Sequence, residues 1–206
     1  MIILATRSAG KLRELKPLFA AHGLSVIDLD EAGVQESPDE DALEAYPTFE
    51  ENALAKARYF HRLTGRPAAA DDSGIAVSAL GGRPGVRSKR WSGRPDLSGQ
   101  ALDDENNRLL LTLLAGRTDR SAHYVCAAAY VDDECEVVCR GEVYGRVTAA
   151  AMGGGGFGYD PYFYSDELNR TFGQASAAEK AGVSHRARAF HALLVRMSEV
   201  IGKTVD

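Results

Sequence analysis

Asp71 and Asp72 stand side by side at the end of an alanine run, in Ala68–Gly74, AAADDSG. An apolar run closing on two acids is what a strand delivering carboxylates to a cleft would carry. Successive strand side chains face opposite ways, so the two acids need not share one task. Adjacent carboxylates repel unless one is solvated or protonated, or a divalent cation lies between them. Ser73 and Gly74 predict a bend that frees backbone N–H groups for an anion.

The cations with unusual placement lie at two helix starts. Met1–Ala5 (MIILA) predicts a buried strand, Thr6–Gly10 a polar turn, and Lys11–Ala21 an amphipathic helix through Leu12, Leu15, Leu18 and Phe19. Ser8 is the candidate N-cap. Strand, turn and helix start together form a phosphate-binding arrangement. Lys11 falls in the first helical turn, where a cation is disfavoured by roughly 0.3–1 kcal/mol and a bound phosphate would reverse the sign. This is not a P-loop, because Ala5 occupies the first glycine position and Leu12 follows the lysine. His185 and Arg186 break the same rule in a last helix opening at Ser184, whose apolar stripe reads Ala187, Phe190, Leu193, Leu194, Met197 and Ile201.

The elements between these anchors follow from pattern. Leu24–Leu29 predicts a strand, and the acid-rich segment Glu31–Tyr46, with Pro38, a solvated loop. Thr48 and Glu51 fit a capping box opening a helix with Ala53, Leu54, Ala57 and Phe60 buried. Glu51, Asn52 and Lys56 are expected elsewhere on its surface, with Lys56 able to reach past the helix flank. Ile75–Leu80 reads as a short strand, Gly81–Gly99 as a loop and Asp103–Leu114 as a helix. Ser121–Val131 and Glu134–Val147 read as an antiparallel pair. In Met152–Tyr164 (MGGGGFGYDPYFY) the glycines match a dinucleotide fingerprint in letters only, since Tyr-Asp-Pro follows where a helix is required. Glycines beside Phe157, Tyr159 and Phe163 suit a wall on which a planar base stacks.

With 206 residues the chain has room for one sizeable domain or two closely joined lobes. A net charge of −5 argues against polymeric nucleic acid as partner. No apolar run approaches the roughly 20 residues of a membrane span, and MIILATRSAG lacks the pattern of a signal peptide. Cys126, Cys135 and Cys139 lack CxxC spacing and read as reduced residues of a cytoplasmic protein.

Six motifs then stand in one order along the chain. They are Thr6-x-x-x-Gly10-Lys11-x-x-Glu14, Thr48-Phe-x-Glu-Asn52-Ala-x-x-Lys56-Ala, Ala70-Asp-Asp-Ser-Gly74, Gly81-Gly-x-Pro-Gly85-x-x-Ser88, Gly156-Phe-Gly-Tyr-Asp-Pro161 and Glu179-Lys180-x-x-x-Ser184-His-Arg186. In these the chain resembles the inosine triphosphate pyrophosphatase (Ham1-like) family, the non-canonical purine nucleoside triphosphate pyrophosphatases. It departs where Ser8 replaces the family's usual Asn, where Arg7 replaces a frequent Gly, and at Lys89-Arg90-Trp91.

The resemblance implies an α/β fold: a single mixed-sheet unit over residues 1–206 with long central strands, two lobes and a cleft between them. It implies a homodimer using Mg²⁺ to hydrolyse ITP, dITP and XTP to monophosphate and pyrophosphate. By the same resemblance Asp72 is the catalytic carboxylate, with Asp72, Glu44 and Asp71 around the metal. Thr6, Arg7, Ser8, Ala9, Gly10, Lys11, Lys56 and Ser73 are expected at the phosphates. Phe157, Gly158, Tyr159, Asp160, Lys180, His185 and Arg186 are expected at the purine. Two other readings stay open: a nucleotide-binding module without catalysis, and the related septum-formation-type pyrophosphatases.

Overall fold

Seven strands form one sheet in the order β2-β1-β3-β4-β5-β6-β7 in the computed structural model, which describes residues 1–201. The strands are β1 (Ile2–Leu4), β2 (Val26–Asp28), β3 (Ala68–Val77), β4 (Ser121–Val131), β5 (Glu136–Val147), β6 (Phe163–Ser165) and β7 (Arg170–Thr171). The helices are α1 (Ala9–Ala21), α2 (Phe49–Thr64), α3 (Gly99–Leu113), α4 (Ala177–Val183) and α5 (His185–Ile201). The sheet is mixed: β1 runs parallel to β2 and β3, and β6 runs antiparallel to β5 and β7. β4 and β5 are neighbours joined through residues 132–135, far too short a link for a parallel crossover. The mixed α/β class with long central strands is therefore as expected.

The chain divides into two compact units. Unit 1 comprises residues 1–72, 126–141 and 185–206, and unit 2 residues 73–125 and 142–184. Each has its own apolar cluster. In unit 1, Leu15 and Phe19 of α1 and Phe190, Leu193, Leu194 and Met197 of α5 pack with Leu4, Ala69, Ala128 and Tyr130 of the strands. The side chain of Ile201, expected on that stripe, lies outside the described residues. In unit 2, Ile75, Val77, Leu110, Tyr124, Val143, Phe163 and Phe172 pack together.

Several local expectations are overturned. Ile75–Leu80 is not a strand of its own, since residues 75–77 end β3 and Ser78–Leu80 form a 3-10 turn. Ser73 and Gly74 do not bend the chain, because β3 runs unbroken through Asp71, Asp72, Ser73 and Gly74 to Val77. Gly74 serves close approach. A Cβ there would lie 2.3 Å from the Gly85 carbonyl oxygen and 2.4 Å from Ser88 Oγ. Ser88 Oγ in turn accepts the Ile75 N–H at 2.9 Å. The acid-rich segment is also more ordered than a solvated loop. Pro38–Glu44 forms 3-10 turns opened by a Ser37–Glu40 capping box.

Candidate active site

In unit 1 the two acids of β3 have different partners. Asp71 Oδ2 lies 3.1 Å from Lys11 Nζ, 3.2 Å from Arg186 Nε and 3.7 Å from Cys126 Sγ. The Asp71 main-chain carbonyl accepts from Lys56 Nζ at 2.6 Å and from Lys11 Nζ at 3.3 Å. Asp72 Oδ2 accepts from Asn52 Nδ2 at 2.9 Å, and its Oδ1 stands 3.8 Å from Lys56 Nζ. Lys56 Nζ also donates to Glu44 Oε1 at 2.9 Å, and Arg186 pairs through Nη1 with Glu14 Oε2.

Three helices supply these groups. Ser8 caps α1 by accepting the Lys11 N–H, which fixes Lys11 in the first turn. Asn52 and Lys56 are four apart on α2 and so share a face. That face is buried: Asn52 is 0% and Lys56 8% exposed, which corrects their expected place on the helix surface. Burial is tolerable because Asn52 also bonds the Tyr46 backbone at both its N–H and its carbonyl, while Lys56 has three oxygen partners. α5 presents Arg186 in its first turn, 2% exposed, with His185 and Ser184 also buried. Thr48 caps α2 as expected, but Glu51 reaches the Thr48 hydroxyl at 2.7 Å instead of its backbone N–H.

The electrostatics separate the neighbours. Burial alone would raise the Asp71 pKa, but Lys11, Arg186 and Lys56 outweigh it and hold the carboxyl far below the usual range. Asp72 goes the other way. Its burial is the largest influence and Glu44 adds to it, while Lys56, Lys11 and the Asn52 hydrogen bond only partly offset them, so its pKa is raised. Burial lowers the Lys56 pKa, but Glu44, Asp72 and Asp71 overcome this and the net shift is upward. The same contest, with Asp71 and Glu14 prevailing over burial, raises Arg186. Asp71 is thus a fixed anion and Asp72 the more basic of the pair, the kind of divergence that assigns different roles to two acids.

Two expected contacts look different in place. The helix-start cations Lys11 and Arg186 already face an anion of the chain itself, Asp71, so they do not by themselves call for a phosphate. Arg7 is turned to Glu40 at 2.8 Å, Asp30 at 3.1 Å and the Val34 carbonyl at 3.0 Å, fastening the segment after β2. The remaining turn residues stay near the start of α1: Thr6 Oγ1 accepts the Ser8 N–H, Gly10 is buried and Ala9 is exposed.

Unit 2 holds five of the residues expected at a base, Phe157, Gly158, Tyr159, Asp160 and Lys180, while His185 and Arg186 lie in unit 1, where Arg186 is paired with Asp71 and Glu14. Lys180 Nζ donates to Asp160 Oδ2 at 2.5 Å and lies 4.9 Å from the centroid of the half-buried Phe157 ring. The Phe157 N–H donates to the same Asp160 oxygen at 2.8 Å. Gly158 is clamped by α3, its N–H donating to Asp103 Oδ2 and its carbonyl accepting from Asn107 Nδ2. Tyr159 is buried and its hydroxyl is committed to the Ser88 carbonyl at 2.8 Å. Ser73 sits half-buried in β3. Asn52, Glu14, Cys126, Asp103 and Asn107 were not singled out as site residues from the sequence. Asn52 and Glu14 stand in the motifs quoted above without an assigned role, and the i, i+4 spacing of Asn52 and Lys56 is a further signal for the first.

Among the described residues no group of three or more His, Cys, Asp or Glu side chains is arranged to hold a metal ion. Of the three acids expected around a metal, Asp71 has its Oδ2 on Lys11 and Arg186, while Glu44 and Asp72 both approach Lys56 and Glu44 raises the cost of ionising Asp72. Two carboxylates are the donor type and number that Mg²⁺ takes from a protein, its other positions going to water and phosphate.

A model described as the Ham1 family matches residues 2–196. A dITP/XTP pyrophosphatase of Ralstonia nicotianae is 47% identical, covering 95% of this chain and 96% of its own length. One from Frankia alni is 46% identical, covering 97% and 98%. Among solved structures, the Ham1 protein of Staphylococcus aureus superposes with a TM-score of 0.81 at 34% identity, covering 96% and 98% of the two chains.

Proposed function

The chain belongs to the Ham1 family, and we infer that it hydrolyses non-canonical purine nucleoside triphosphates, dITP, XTP and ITP, to the monophosphate and pyrophosphate. The observation that carries this reading is Asp72. It is a buried carboxylate with a raised pKa, one oxygen held by Asn52 and the other 3.8 Å from Lys56 Nζ. Relatives covering nearly the whole chain carry the name dITP/XTP pyrophosphatase.

Asp72 and Glu44 would hold Mg²⁺, which when bound neutralises phosphate charge and makes a coordinated water more acidic. The chain's own groups do the rest. Asn52 fixes the Asp72 carboxylate through Oδ2, leaving Oδ1 to orient the attacking water and take its proton. Lys56 and Lys11 bring ammonium groups to a triphosphate of about four negative charges, which must shed water to react. The α1 start, with Thr6, Ser8, Ala9 and Gly10, offers N–H and hydroxyl donors to phosphate oxygens. Attack at the phosphorus nearest the sugar is carried over from the family.

For the base, Phe157 is the stacking face, and Asp160 and Lys180 are the polar pair beside it. Purines with oxygen at C6 accept a hydrogen bond where adenine donates one, and a buried donor left unpaired by the wrong base can discriminate by roughly 10⁴–10⁵. His185 and Arg186 belong to this proposal by resemblance, with Arg186 acting from within its pairs with Asp71 and Glu14. Tyr159 supports the Phe157 segment through Ser88. A homodimer in the cytoplasm is part of the same reading. No helix among the described residues is long and apolar enough to cross a membrane.

The test is a panel of ITP, XTP, dITP, ATP, GTP and dUTP with and without Mg²⁺, assayed for pyrophosphate against orthophosphate. The reading expects Mg²⁺-dependent pyrophosphate from the first three. Release of orthophosphate, or equal turnover of ATP, would contradict it.

A further inference from the structure

We infer that Asp71 is a positioning residue that sets the Lys11 ammonium, and that it is not a ligand of the metal. This rests on the reading of the site as a nucleoside triphosphate pyrophosphatase and deepens it. Adjacent acids on a strand invite the view that both serve one cation, and Asp71 Oδ1 is buried with no hydrogen-bond partner among the described residues. The opposite oxygen decides the matter. Asp71 Oδ2 takes Lys11, Arg186 and the Cys126 thiol together, and the Asp71 side chain is fully buried.

The backbone of the same residue extends the device. Its carbonyl accepts from both Lys11 and Lys56, so one residue gathers two ammonium groups that would otherwise repel. The carboxylate supplies the charge that makes this stable, and Glu14 braces it from behind by pairing with Arg186. An oxygen already taken by two cations and a thiol has little to offer a third cation. Of the groups bonded to the Asp71 carboxylate, Lys11 is the one that is partly open, its side chain 16% exposed against 3% for Arg186, with Cys126 buried. Lys56 is held by the main-chain carbonyl, which a change of the side chain leaves in place, so the effect of the carboxylate on a phosphate passes through Lys11.

The experiment compares Asp71→Asn, Glu14→Gln and Lys11→Met, alone and combined, in the full chain. Steady-state kinetics with ITP are read beside calorimetric titration of Mg²⁺ into protein saturated with a non-hydrolysable triphosphate analogue. Asp71→Asn is expected to lower kcat about 100-fold with Mg²⁺ affinity changed less than threefold. In the Lys11→Met background it should cost less than threefold more, because the route of its action is already gone. A merely structural loss would multiply in that background. If Asp71→Asn does not fold, Glu14→Gln decides: its kcat loss, about fivefold, should likewise vanish beside Lys11→Met. A threefold or larger fall in Mg²⁺ affinity on Asp71→Asn, multiplying losses, or unchanged kcat in either single variant overturns the inference. Asp72→Asn is the control for the underlying reading. If it leaves Mg²⁺ affinity unmoved, the metal assignment fails, whatever Asp71 does.

Discussion

Asn52 Nδ2 stands 2.9 Å from Asp72 Oδ2, both groups buried, in a contact between α2 and β3. It turns a carboxylate with two equivalent oxygens into one with a held oxygen and a working one. Asn52 also spans the Tyr46 backbone, so it ties the segment carrying Glu44 to the acid beside it.

Replacing Asn52 by Ala leaves the Asp72 oxygen and two Tyr46 backbone groups without their partner. An unsatisfied buried group costs about 1–3 kcal/mol. Urea unfolding should show a loss of that order, and kcat should fall more than KM rises. An unchanged urea midpoint would mean that water or a relaxed backbone replaces the amide.

Gly74→Ala should destabilise the protein by about 1–3 kcal/mol, as overpacking does. The added Cβ would meet the Gly85 carbonyl oxygen, which is backbone and cannot swing aside. A thermal midpoint equal to that of the unmodified chain would contradict the continuous course of β3 past Ser88.

The Asp71 ion pairs give a pH dependence whose sign is fixed. The folded pKa lies below the ordinary value of 3.8. The unfolded state therefore binds the extra proton first on acidification. The stability Asp71 contributes is present above about pH 4 and is lost as pH falls through and below that value. Asp71→Asn removes one of the two carboxylates that face buried Arg186, the Glu14 pair remaining, and should cost about 1–3 kcal/mol near pH 7. The gap between variant and parent should narrow as pH drops below 4. A gap constant with pH would contradict the pairing.

Asp72 behaves oppositely. Its folded pKa is raised, chiefly by burial. The metal-free protein should thus lose stability as pH rises from the ordinary carboxylate value through the raised one, because ionising Asp72 costs more folded than unfolded. Asp72→Asn should remove that decline, and denaturant titrations in a chelating buffer between pH 3.5 and about 7 would show it. A decline that persists in the variant would assign it to another group.

Much of this site could be read before any coordinates. The adjacent acids, the Ser8 cap and the helix-start cations are local signals, set by spacing along a few residues. The errors have a common cause in contacts between distant segments. Gly74 looks like a bend until Gly85 and Ser88 arrive beside it. Nothing near Arg7 in sequence announces the Glu40 and Asp30 that its guanidinium meets. Asn52 and Lys56 are polar residues on an amphipathic helix, and hydropathy sends such residues to solvent. The acids of β3, Glu44 and the Tyr46 backbone make their burial favourable.

The most direct test of the account is pyrophosphate release from ITP and ATP by the unmodified chain and by Asp72→Asn, each titrated with Mg²⁺. The account predicts Mg²⁺-dependent turnover of ITP well above that of ATP, and its loss by at least a thousandfold in a variant that stays folded. Near-parental turnover by Asp72→Asn would contradict it.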